Sequence, residues 1–158
     1  MVSRLLADYG MVFVLALLCA FFSFATYTEQ HPTGAEAGPE LAASILSQSG
    51  KSARVLVAVP NQPDAVAFAD ALQTALANAG ATVVATVKGE PKDARAALQA
   101  AASTGKLDII AGTQASAGWL VFADLATDFP ALGTPRLVQP QTYRWPNFLK
   151  RDNLLNIA

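Results

Sequence analysis

The sequence predicts an α/β protein: a small three- to four-stranded parallel sheet with helices on both faces, preceded by one transmembrane helix at the N-terminus. Three observations carry this. From Tyr9 to Thr28 there are 20 consecutive residues without a charge. From Arg54 onward, short β-branched apolar runs alternate with longer segments whose apolar residues recur at helical spacing. Gly50, Gly80 and Gly105 each stand where one of the helical stripes runs out.

The uncharged run comes first. A helix rising ~1.5 Å per residue crosses a ~30 Å hydrocarbon layer in about 20 residues, and it satisfies its own backbone as lipid requires. Tyr9 and Tyr27 bracket the run as interfacial aromatics do. Arg4 precedes it, while Glu29, Glu36 and Glu40 follow. That charge bias puts the N-terminus in the cytoplasm and the remainder outside. Two alternatives stay open: a cleaved signal peptide, with Ser23-Phe24-Ala25 as its cleavage site, and a buried core helix.

Residues 1–28 thus form the span and 29–39 a linker, with two prolines and two glycines in a polar stretch. His31, the only histidine, falls in this linker, where a solvated role is the default. The α/β domain occupies 40–142. Pro39 suits the first position of a short helix carrying Leu41, Ile45 and Leu46 on one face, which Gly50 ends. Arg54–Pro60 is a strand buried on both faces. Asp64–Ala79 is a helix with Phe68, Leu72, Ala75, Leu76 and Ala79 on one stripe. Ala81–Val87 is the second strand, and a helix from Pro91 or Lys92 to Thr104 buries Ala94, Ala97, Leu98 and Ala101. Leu107–Ala111 is the third strand. Ser116–Leu125 is a third helix that buries Trp119, Leu120 and Phe122, and Arg136–Gln139 is an edge strand stopped by Pro140. Strand–helix alternation at this spacing implies right-handed crossovers, a parallel sheet and the strand order 2-1-3-4. The pattern is like half of a periplasmic binding-protein lobe, by analogy of the sheet alone.

Net charge is −1 with both signs scattered, so no basic patch invites nucleic acid. One cysteine, Cys19, lies within the apolar run, and no Cys/His cluster suggests a metal or any cofactor. Catalytic templates fail as well. Ser103-Thr104-Gly105-Lys106 follows a helix rather than a strand and lacks the first glycine of a phosphate loop, and Gln114-Ala115-Ser116-Ala117-Gly118 lacks the first glycine of a nucleophile elbow. No general base accompanies any nucleophile, so an enzyme is not expected.

In an open parallel sheet, ligands gather at the C-terminal strand ends where the order reverses. The loops there carry Asn61 and Gln62 after the first strand, and Thr113, Gln114 and Ser116 after the third. Their amides and hydroxyls suit a polyol. A purely local role is equally simple, with Asp64 and Ser116 as helix N-caps and Asn61 and Gln62 as turn formers.

The two ends of the chain carry a further pattern. Tyr9-Gly10-Met11, an apolar run and Phe21-Phe22-Ser23-Phe24-Ala25-Thr26 stand at the start. Pro146-Asn147-Phe148-Leu149, two residues, then Asp152-Asn153-Leu154-Leu155-Asn156-Ile157 stand at the end. Together they resemble the N-terminal region of permease subunits of ribose-type (monosaccharide) bacterial ABC transporters, where the second stretch follows the first almost at once and leads into the next span. Here about 118 residues, Tyr27–Arg144, separate them. The resemblance covers some 40 residues and implies an N-terminal fragment of a permease subunit with an inserted α/β domain. Residues 143–158 then begin as an aromatic turn and form an amphipathic lead-in to a further membrane segment, and the chain stops like a truncated sequence. Implied partners are the lipid bilayer, a cytoplasmic ATPase subunit, an extracytoplasmic solute-binding protein and a second permease copy. The implied location is the bacterial inner membrane, with the domain extracytoplasmic. The insertion would contact the solute-binding protein or the solute. The competing class is a single-span, membrane-anchored solute-binding or sensor module.

Overall fold

The computed structural model describes the backbone of residues 2–146 and the side chains of residues 10–146 apart from Thr28, Gln30 and Trp145. The lead-in expected at 147–158 lies outside the described residues. Two compact units emerge, one joining the start of the chain to its end and the other spanning His31–Gln141.

The first unit holds helix α1, Val2–Ala25, and two short strands, β1 (Tyr27–Gln30) and β6 (Tyr143–Pro146). The large apolar side chains of α1 lie open around its circumference, from Met11 at 90% exposure to Phe24 at 85%. A helix apolar all round is not built for water on any side. Among the described residues no helix is both long and apolar enough to cross a membrane. β1 and β6 pair antiparallel, with Tyr27 opposite Pro146, Thr28 opposite Trp145, Glu29 opposite Arg144 and Gln30 opposite Tyr143. Thr142 Oγ1 donates to Glu29 Oε1 at 2.6 Å and extends the ribbon by one cross-link. The ribbon thus claims Glu29 and Gln30, which composition alone assigns to a linker, and turns Tyr143–Pro146 from the expected turn into a strand.

The second unit is the α/β domain. Four strands, β2 (Arg54–Pro60), β3 (Thr82–Gly89), β4 (Ile109–Gly112) and β5 (Arg136–Val138), form one parallel sheet in the order β3-β2-β4-β5. Counted within the domain, this is the predicted order 2-1-3-4. Helices α2 (Ala37–Ser49) and α3 (Pro63–Asn78) cover one face, meeting Val55, Val57, Val59, Ile109 and Ala111. Helix α4 (Pro91–Thr104) and the irregular segment before β5 cover the other, meeting Leu56, Ala58 and Ile110. All five central residues of β2, Val55–Val59, are fully buried, as a strand sandwiched between two helical layers must be.

One irregularity sets the edge. Val55 pairs with Val83 but Leu56 pairs with Ala85, so Val84 is an extra residue bulging from β3. The bulge resets the alternation. Val84, Ala85 and Val87 pack toward the α4 layer, while Thr86 and Lys88 reach Gln73 and Asp70 of α3. Lys88 and the bulge also guard the open edge of the sheet against pairing with another chain.

The helix boundaries differ from expectation at three places, the smallest being α3, which runs one residue earlier at each end than Asp64–Ala79. α2 begins at Ala37, not Pro39, because Ala37 N–H donates to Gly34 and Gly38 N–H to Ala35 in a tight lead-in turn. Pro39 sits in the first helical turn, where its missing N–H costs nothing. Gly38 is therefore a packing residue: a Cβ there would lie 2.6 Å from the Leu72 amide nitrogen and 2.8 Å from Ala71 Cβ. The predicted helix Ser116–Leu125 breaks into three pieces: α5 (Gln114–Ala117), a 3-10 turn at Leu120–Phe122 and α6 (Leu125–Asp128). Gly118 weakens helix continuation, and Trp119 leaves helical geometry with ψ 128°. Trp119 then stacks on Phe122 at 6.0 Å, while Leu120, expected inside, is 86% exposed.

Candidate functional site

The C-terminal ends of β2 and β4 open a cleft of about 320 Å³, lined chiefly by Thr33, Gln62, Asp64, Thr113 and Ala115, with Pro60 and Pro63 as its apolar wall. It lies where the predicted strand order reverses. The chain leaves β2 into α3 on one face and leaves β4 into α5 toward the other.

The floor is tightly made. Gly112 ends β4, and a Cβ there would fall 2.9 Å from the Ala58 carbonyl oxygen and 2.5 Å from Ser116 Oγ. Thr113 N–H donates to Ser116 Oγ at 2.9 Å, Ser116 N–H donates to Thr113 Oγ1 at 3.4 Å, and Ser116 Oγ donates to the Thr113 carbonyl at 3.2 Å. This is a reciprocal cap on α5, and both residues are buried, at 1% and 0% exposure. The N-cap is thus Thr113 and not Ser116, which sits three residues further in.

The rim is loose. Gln62 is the N-cap of α3 but makes no side-chain capping bond, and Asp64, the second residue of the helix rather than its cap, is exposed. Its carboxylate faces the positive end of the helix dipole. Among the described residues no basic side chain lines the cleft, so its character is that of amide, hydroxyl and one carboxylate against proline and alanine. Such a set accepts hydrogen bonds from hydroxyl-rich neutral ligands and repels anions.

Of the five residues the sequence nominates, the structure brings Gln62 and Thr113 to the cleft. Ser116 lies beneath it, consumed by the cap. Asn61 and Gln114 are exposed and outside the lining. Thr33 and Asp64 belong to the cleft unpredicted. Thr33 arrives from the segment before α2, and only the through-space packing of that segment brings it here. Asp64 carries a signal in its position after Pro63, but that position equally suits a cap.

The opposite, N-terminal end of the sheet has a polar hollow of about 420 Å³ whose lining includes Ser49, Ser52, Lys106, Asp108, Thr134 and Arg136. Here Asp108 and Arg136 are engaged, as is the neighbouring Arg54. Arg54 N–H donates to Asp108 Oδ2 at 2.8 Å, and the Arg54 guanidinium donates to the Lys106 carbonyl at 2.8 Å and to Thr104 Oγ1 at 2.9 Å. Arg136 donates to Gln48 Oε1 at 2.7 Å. Among the described residues no group of acidic, histidine or cysteine side chains is arranged to hold a metal.

Compared with known proteins, the chain matches no family model, no curated protein and no solved structure.

Proposed function

We propose that this chain is a membrane-spanning permease component of an ATP-driven importer of ribose-like sugars, in which α1 crosses the bacterial inner membrane and the α/β domain is an extracytoplasmic insertion. The observation that carries the reading is the pairing of β1 with β6. Tyr27, just past the end of α1, stands opposite Pro146, where the second permease-like stretch begins. Two stretches that resemble one continuous permease segment, about 118 residues apart in sequence, therefore abut through the ribbon. A domain inserted at a single point of an older chain enters and leaves side by side in just this way. The helical backbone of α1, 24 residues long, and its apolar circumference support the crossing. In this reading a separate cytoplasmic ATPase subunit supplies the energy, and the insertion meets the solute-binding protein or the solute.

The cleft favours a second reading, a single-span anchored solute-binding or sensor module, because it lies at the position where open α/β sheets take ligands. Two measurements on the full chain in its native membrane separate the readings. The permease reading expects the protein to resist alkaline carbonate extraction, residues 31–141 to be cleaved by protease added outside, and sugar uptake to fall when the gene is removed and return with the full chain. Resistant, externally cleaved protein with unchanged uptake leaves the anchored module. Release by carbonate removes both.

A further inference from the structure

The ribbon β1–β6 has a second property that the permease reading does not require. It starts one residue after α1 ends, and Thr26 N–H still donates to the Phe22 carbonyl at 2.9 Å, so helix and ribbon are continuous. β6 packs close to α1 within the same unit. Side chains alternate across an antiparallel ribbon, and directly opposed residues share a face. Tyr27 and Glu29 therefore share a face with Arg144 and Pro146. Tyr27 is 52% exposed although most of its ring is apolar, and Arg144 is exposed too. Glu29, directly opposite Arg144, is engaged by Thr142, and none of the ion pairs among the described residues includes Arg144.

Dimensions assign the level. Consecutive Cα atoms are ~3.8 Å apart, so Tyr27 lies within about 8 Å of the end of α1. Four paired positions at ~3.4 Å make a ribbon roughly 13 Å long. Each headgroup layer of a bilayer is about 5–8 Å thick, the difference between a ~40–45 Å membrane and its ~30 Å core. With α1 filling the hydrocarbon, the first two pairs of the ribbon fall among headgroups and the third, which carries Arg144, at their outer margin, within reach of a long side chain.

We propose that the β1–β6 ribbon is an interfacial anchor, seated in the lipid headgroup layer by the amphipathic ring of Tyr27 and by Arg144 against lipid phosphate. The proposal rests on the crossing of α1 proposed above. A tyrosine prefers this layer because its ring is apolar and its hydroxyl polar, and an arginine there finds planar oxyanion partners. The anchor would hold the entry and exit of the insertion at one fixed depth.

The chain has two tryptophans, Trp119 in the α/β unit and Trp145 on the ribbon, in register with Thr28. The full chain is reconstituted in phosphatidylcholine vesicles containing phosphatidylglycerol, with nitroxide quenchers placed at the headgroup, high on the acyl chain or at its middle. The expected result is a fluorescence component quenched by the two shallow labels at least about twofold more than by the deep one. That component disappears on Trp145→Phe. A second reporter, Tyr27→Trp in a chain whose native tryptophans are both phenylalanine, is expected at the same depth. Protein that floats with the vesicles while Trp145 is unquenched by lipid labels and open to aqueous iodide overturns the anchor but leaves the crossing intact. Discordant depths for the two reporters also overturn it. Protein that fails to float overturns the crossing itself.

Discussion

The two ends of the parallel sheet are built on different terms. At the N-terminal end, Arg54 is tied to Asp108, Lys106 and Thr104, and Arg136 to Gln48, so the two arginines spend their hydrogen-bonding capacity within the fold. At the C-terminal end the floor is tied, through Gly112, Thr113 and Ser116, while on the rim the Gln62 side chain makes no capping bond and Asp64 is exposed. The difference teaches where to look for function in a chain without catalytic motifs: groups already engaged hold structure, and polar groups left open at a strand-end cleft are available to a ligand.

Substitutions test that contrast. The largest effect is expected in the floor. Gly112→Ala forces a methyl against the Ala58 carbonyl, which cannot retreat without moving β2, so it is expected to destabilise the domain by about 2–3 kcal/mol in urea titration. An unchanged midpoint would mean that the floor is not tight. Next is the strap at the other end. Arg54→Ala loses the guanidinium bonds to Lys106 and Thr104 at a partly solvated site, for an expected loss of about 1 kcal/mol.

The rim should respond in the opposite sense. Gln62→Ser supplies the missing cap on α3 and is expected to stabilise by about 0.5–1 kcal/mol in thermal unfolding. If Gln62→Ser instead costs as much as Arg54→Ala, the rim is structural and the contrast between the ends is lost. Smallest of all is the turn after β3, at the same end of the sheet. Glu90 hydrogen-bonds Lys92 and, with Asp93, holds the ammonium of Lys92 above the ordinary lysine value. A raised folded pKa stabilises below the unfolded pKa and is lost only as pH climbs through the folded one. Lys92→Met is therefore expected to leave the dependence of stability on pH unchanged around neutrality, with the difference due to the lysine's own titration confined to strongly alkaline solution.

Much of the architecture was legible because it depends on local periodicity. Val55–Val59 announces a doubly buried strand, and Phe68, Leu72 and Leu76 announce the inner face of α3. Gly50, Gly80 and Gly105 mark the stops, each taking a positive φ that other residues avoid. The site was legible in part. Strand order located the cleft, and Gln62 and Thr113 line it. Ser116 misled because a serine ahead of an apolar run suits both a ligand and a cap, and only its burial decides between them.

The sequence by itself determined the alternation of strands and helices and the apolar character of the first helix, because each follows from residue spacing within one segment, and the handedness of crossovers then implied the strand order. The tertiary structure alone decided the bulge at Val84, the close approach at Gly38, the arrival of Thr33 in the cleft and the pairing of Tyr27–Gln30 with Tyr143–Pro146. Each of these depends on which distant segment comes to lie alongside, and no local pattern of side chains encodes that.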